Sequence, residues 1–165
     1  MSSETARIAD ELRRAHESGA WHGSSALEIF AGVTAREAAA HPIPDAHSIW
    51  EIVHHLAAWR GEVRRRLASG GPGVPAEGDW PPVTDSSEAA WRATLDRLDA
   101  ASRELRKAVE AFPERRLDEP VSPDSHPELG TVGSYYVMLH GIAQHDAYHL
   151  GQVSLLKKAV RGGRR

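Results

Sequence analysis

His145-Asp146-Ala147-Tyr148-His149 sets two imidazoles four residues apart inside a long helical pattern. Residues at i and i+4 lie one above the other on a helix face, so both rings reach a single ion. Upstream, Trp50-Glu51-Ile52-Val53-His54-His55-Leu56 places two more histidines in a second amphipathic pattern. Two histidines from one helix and one from another make a facial three-nitrogen metal site with positions left for chemistry. Neutral imidazoles leave the ion its full charge. Such an ion brings the pKa of bound water down to about 7, or holds a small thiol, of free pKa about 8.5, as thiolate. Asp146 rather than Glu follows His145, so this is not the His-Glu-x-x-His pattern of zinc proteases. A lone histidine of this kind is usually satisfied by hydrogen bonds in a core. The i, i+4 pair together with a third histidine on another striped helix is what favours an ion. Periodicity leaves His54 and His55 open as that third ligand, because both flank the apolar stripe.

The neighbours of these histidines carry further expectations. On the last helix Val132, Tyr135, Tyr136, Leu139, Ile142, His145 or Tyr148, His149, Gln152, Leu155 and Leu156 fall broadly along one stripe. His145, His149 and Gln152 therefore meet the core and must be paired or liganded, since unpaired burial costs ~1–3 kcal/mol each. Gln152, one turn beyond His149, is a candidate to hydrogen-bond a ligand or substrate. Asp146 and Glu51 are candidates to orient imidazoles through their second N–H, with a plain helix-surface role as the alternative for both. Trp21 and Trp80 are candidates either to close a pocket or simply to pack.

The elements that would position these groups are helical nearly throughout. A first helix covers about residues 4–18, with Ile8, Leu12 and Ala15 on one side, until Gly19-Ala20-Trp21-His22-Gly23 breaks it. Ser25 with Glu28, Thr34 with Glu37, and Ser48 with Glu51 read as capping boxes opening three further helices. The third of these runs to about Ser69, where Gly70-Gly71-Pro72-Gly73 ends it. A loop then reaches Thr84, long enough to be functional, and its Asp79-Trp80-Pro81-Pro82 is placed to fold over the bundle. Asp85 with Glu88 reads as the cap of a helix continuing to Phe112. After a proline-rich connection, Gly130-Thr131 introduces the last helix, about 132–160. The expectation is an all-α fold, a four-helix bundle forming one domain over residues 1–165.

Composition bounds the function. A net charge of −3 gives no electrostatic footprint for nucleic acid. The terminal Lys157, Lys158, Arg161, Arg164 and Arg165 suit a solvated helix C-terminus. The chain has no cysteine, which excludes disulfides, thiolate zinc sites and a cysteine nucleophile. No apolar run approaches the ~20 residues needed to cross a bilayer. Met1 to Arg7 lacks a basic leader followed by an apolar stretch, so a cytoplasmic protein is expected.

Gly19-Ala20-Trp21-His22-Gly23, His47-Ser48-Ile49-Trp50-Glu51, His55-Leu56-Ala57-Ala58-Trp59, Asp79-Trp80-Pro81 and Gly141 through Gln152 occur in an order that resembles the DinB/YfiT-like superfamily of metalloenzymes, specifically its YfiT-like branch. The resemblance runs along almost the whole chain, and its last segment is the specific one. It implies a four-helix bundle, commonly a homodimer, with three histidines holding one divalent metal ion such as nickel or zinc. It selects His55, directly before Leu-Ala, over His54 as first ligand, with His145 and His149 as second and third. It further implies a small-molecule substrate: some relatives transfer low-molecular-weight thiols or isomerise substrates with thiol help, and others are described as metal-dependent hydrolases. Two function classes follow. One is a metal-dependent enzyme activating a thiol or water; the other is a non-catalytic, stress-related metal-binding dimer. A nucleic-acid-associated protein is disfavoured by the charge.

Overall fold

The computed structural model describes residues 2–71, 73–122 and 133–162. The described residues form six α-helices: α1 (Glu4–His16), α2 (Ala26–Phe30), α3 (Ala35–Ala38), α4 (Ile49–Ser69), α5 (Glu88–Ala111) and α6 (Tyr135–Gly162). A single 3-10 turn, Glu114–Arg116, follows α5. The chain is thus all-helical among its described residues, with one isolated bridge between Pro120 and Ser134.

Local chemistry sets most helix starts. The Ser48 hydroxyl accepts the Glu51 N–H at 3.2 Å while the Glu51 carboxylate takes the Ser48 N–H at 2.7 Å. Thr34 and Glu37 reciprocate in the same way at 3.2 and 3.1 Å. At α2, Glu28 accepts the Ser25 N–H (2.7 Å), and the Ser25 hydroxyl also donates to the Glu17 carbonyl (2.9 Å), tying α2 to the end of α1. α4 stops at Gly70, whose φ of +67° suits glycine and whose added Cβ would sit 3.3 Å from the Tyr135 hydroxyl.

Three boundaries differ from expectation. α1 ends at His16, two residues short of expectation, with Glu17 as its cap and the left-handed Gly19 (φ +82°) just beyond. The cap of α5 is Ser87, which accepts the Ala90 N–H (3.2 Å); Asp85 instead accepts the Ser87 N–H (2.8 Å) and braces the approach. α6 begins at Tyr135, and the expected lead-in at Gly130-Thr131 and Val132 lies outside the described residues.

α4 packs on α5 and α6, and α1 packs on the same two, so α1 lies diagonally across the bundle from α4. Burial splits the core into two apolar halves. Phe30, Trp50, Leu56, Trp91, Leu98, Leu150 and Val153 fill one. Ile8, Leu12, Val63, Leu67, Leu105, Val109, Leu139 and Ile142 fill the other. On α4, α5 and α6 a polar residue falls between them (Arg60, Asp99 and Asp146), and His16 joins this level from the end of α1. Among the described residues no helix is long and apolar enough to cross a membrane.

Candidate metal centre

α4 and α6 bring His55, His145 and His149 together. One ring nitrogen from each lies within 4.8 Å of the other two. The His55 and His145 Nε2 atoms are 2.9 Å apart. Ring centroids are 4.9 Å (55–145), 4.7 Å (55–149) and 4.5 Å (145–149) apart, a nearly equilateral cluster. His55 and His149 are buried, while His145 is about a quarter exposed at 28%. One edge of the cluster therefore faces outward.

Each ring is aimed by its other nitrogen. His55 Nδ1–H donates to the Asp79 carbonyl at 2.8 Å. His149 Nδ1–H donates to Gln152 Oε1 at 2.8 Å. These bonds put the proton of both rings on Nδ1 and the lone pair on Nε2, where that of His55 meets His145 Nε2. Burial pushes the His149 pKa down to about 4 and lowers that of His55, so both rings are neutral at neutral pH, the form that binds a metal. The third ring differs. His145 Nδ1 lies 3.8 Å from Asp146 Oδ1, too long for a hydrogen bond, and both atoms are buried without another partner.

Asp146 is not a surface acid. It is 2% exposed, and its Oδ2 accepts two hydrogen bonds from Arg60 (Nε 3.1 Å, Nη2 2.8 Å). Burial is the largest influence and opposes its ionisation, yet the Arg60 guanidinium and His145 together outweigh it and hold the carboxyl below its ordinary value. Arg60 Nη1 donates onward to His16 Nδ1 (3.3 Å), and His16 Nε2–H donates to Asp99 Oδ1 (3.1 Å). A buried polar chain thus reaches from α5 through α1 and α4 to the carboxylate beside His145. Sequence reading missed Arg60 and His16. Their signal was spacing: Arg60 continues the apolar series 53, 56, 57, 63, 67, and His16 continues 5, 8, 9, 12.

The remaining expected residues divide. His54 turns from the cluster, with Nδ1 3.0 Å from the Pro81 carbonyl and Nε2 accepting from Trp50 Nε1 at 3.1 Å. Glu51, offered as an orienting acid, is occupied by its capping box and by His41 Nε2 at 3.1 Å. The stripe on α6 is also corrected. Tyr136, Tyr148 and Leu155 are exposed, and the buried series is 135, 138, 139, 142, 143, 146, 149, 150, 153 and 156. Trp21 is fully exposed and lines a separate cavity against α1 and α6.

The loop before α5 does fold over the site. The Trp80 indole stacks between His55 (centroids 4.0 Å) and His47 (3.5 Å). Trp59 Nε1 donates to Asp79 Oδ1 at 2.7 Å, which holds the Asp79 carbonyl over His55.

Three converging imidazoles on two helices, two of them with their second nitrogen anchored, fit a divalent ion of intermediate softness. No protein of described function and no solved structure matches the chain. A family model does, and it spans α2 through most of α6, including all three histidines. By that match over residues 18–153, the chain belongs to the DinB superfamily.

Proposed function

We propose that this protein is a metal-dependent enzyme in which His55, His145 and His149 hold one divalent ion, nickel or zinc, and that it activates a low-molecular-weight thiol, or water, for attack on a small substrate. The observation that carries this reading is the convergence of three ring nitrogens within 4.8 Å, one of the rings partly open to solvent. When bound, the ion supplies Lewis acidity, making thiolate or hydroxide available near neutral pH.

The chain's own residues do the rest. The Asp79 carbonyl and Gln152 Oε1 each hold an Nδ1 proton and so present Nε2 of His55 and His149. Asp146, kept anionic by Arg60, faces His145 Nδ1 and favours the tautomer with its proton there. Trp80 covers one face of His55 and keeps water from it. The absence of cysteine leaves no protein thiol to compete with a thiol substrate.

The test is metal quantification of the purified chain beside His55→Ala, His145→Ala and His149→Ala, with His54→Ala as the control. The expected result is about one divalent ion per chain in wild type and His54→Ala, and its loss in the other three. Retention by His55→Ala with loss in His54→Ala would reverse the ligand assignment. Turnover is then sought with a panel of glutathione, mycothiol, bacillithiol and coenzyme A against small electrophiles. Tight metal binding without turnover on that panel or on hydrolysable esters would favour the non-catalytic dimer instead. A homodimer belongs to the same proposal, and light scattering of the purified chain checks it.

A further inference from the structure

We propose that the cavity between α4 and α6 is the chamber for the apolar body of a small substrate, and that the lack of a long side chain at position 141 keeps it open. This deepens the enzymatic reading above and rests on it. The cavity is about 410 Å3, and His55 and His145 stand on its wall. That size lies at the small end of ligand pockets, which run from ~300 to 1,000 Å3. Trp59, Val63, Met138 and Ile142 give it an apolar wall, three of them buried core residues.

The charged groups that reach the wall are already engaged. Asp79 Oδ1 accepts from Trp59 Nε1, and the Arg66 guanidinium bonds Glu62 Oε1 and the Gly73 carbonyl, both at 2.8 Å, below the Trp59 ring. An apolar body resting on this wall leaves these pairs intact. Such a body would seat against Met138 and Ile142 with its polar end toward the histidines.

Gly141 sits in the middle of α6, where glycine costs roughly 0.5–1 kcal/mol relative to alanine. Its φ is unremarkable, and an added Cβ would meet nothing within 4 Å. Neither backbone strain nor close packing therefore requires glycine there. What the open chamber requires at this position is a short side chain, which glycine supplies and a branched or long one would not.

The experiment titrates the metal-loaded full chain with N-phenyl-1-naphthylamine, a neutral fluorophore, following its emission and the quenching of tryptophan. Wild type is expected to bind saturably, with Gly141→Ala within about threefold and Gly141→Leu at least about tenfold weaker in Kd. Metal content should not change, and Tm should rise slightly rather than fall, glycine being the weaker helix former. Should Gly141→Leu not fold, Val137→Trp at the half-exposed rim carries the same expectation. Equal probe binding in the filled and wild-type chains, or no probe binding at all, would overturn the chamber. A chain that binds the probe in this way but no divalent metal would sink the metal-dependent enzyme and leave the chamber standing.

Discussion

At the scale of single residues, the feature with the widest consequence is the burial of basic groups in neutral form. His16 is 1% exposed, and burial, followed by the charge of Arg60, pushes its pKa down to about 3. Its ordinary value is 6.5, which the unfolded chain recovers. Above that pH the ring is neutral in both states and costs nothing. As pH falls from 6.5 toward about 3, the unfolded chain binds a proton that folded His16 refuses, so stability is lost progressively. Glutamine offers an acceptor to Arg60 and a donor to Asp99 but does not titrate. His16→Gln should therefore lose less unfolding free energy than wild type between about pH 6.5 and 4, a difference on the order of a few kcal/mol in urea titrations. Parallel pH profiles would assign the loss elsewhere. His149, with its pKa near 4, acts in the same direction in both proteins and cancels from the comparison.

At the scale of elements, the loop between α4 and α5 is as much a part of the site as the helices. It has no helix of its own, yet its Asp79 carbonyl fixes the His55 ring, its Pro81 carbonyl fixes His54, and its Trp80 is stacked between His47 and His55. Trp80→Ala should leave the helical content unchanged by circular dichroism while weakening divalent-metal affinity by about tenfold, the low end of what outer partners of metal-bound histidines contribute. Unchanged affinity would reduce the indole to packing. The starts of α2, α3 and α4 were legible in sequence because a capping box is a local device, closed within four residues. The start of α5 was misplaced by two residues because Asp85 and Ser87 both offer an oxygen, and only the path of the loop decides which one faces the first free N–H groups. Likewise Tyr136, Tyr148 and Leu155 share an apolar character with the stripe on α6, but the angle at which α6 meets α1 and α4 leaves them outside.

At the scale of the whole molecule, two apolar half-cores meet at a polar layer, and the candidate metal centre opens from that layer at the seam of α4 and α6. The Arg60–Asp146 pair is 2–3% exposed, so removing one partner strands a buried charge. Arg60→Met and Asp146→Leu are each expected to destabilise the fold by about 3–5 kcal/mol, and the double variant by far less. Denaturant unfolding of the four proteins measures this cycle. Additive losses would mean that the two charges do not answer one another. The double variant should still bind metal more weakly than wild type, because His145 Nδ1 then faces no carboxylate.

The sequence by itself determined the all-helical architecture and the i, i+4 pairing of His145 with His149, because both follow from the periodicity of one helix. Its motif order also placed the chain among DinB-like proteins. What it left open was long-range. Whether His54 or His55 faces α6, whether Asp146 is a surface acid or the partner of Arg60, and whether Glu51 reaches the histidines each depend on how two helices are rotated against one another. A helix pattern records which residues share a face; only packing decides what that face meets. The loop carbonyl that aims His55 is a backbone atom, carried equally by every residue type, and no side-chain pattern could have announced it.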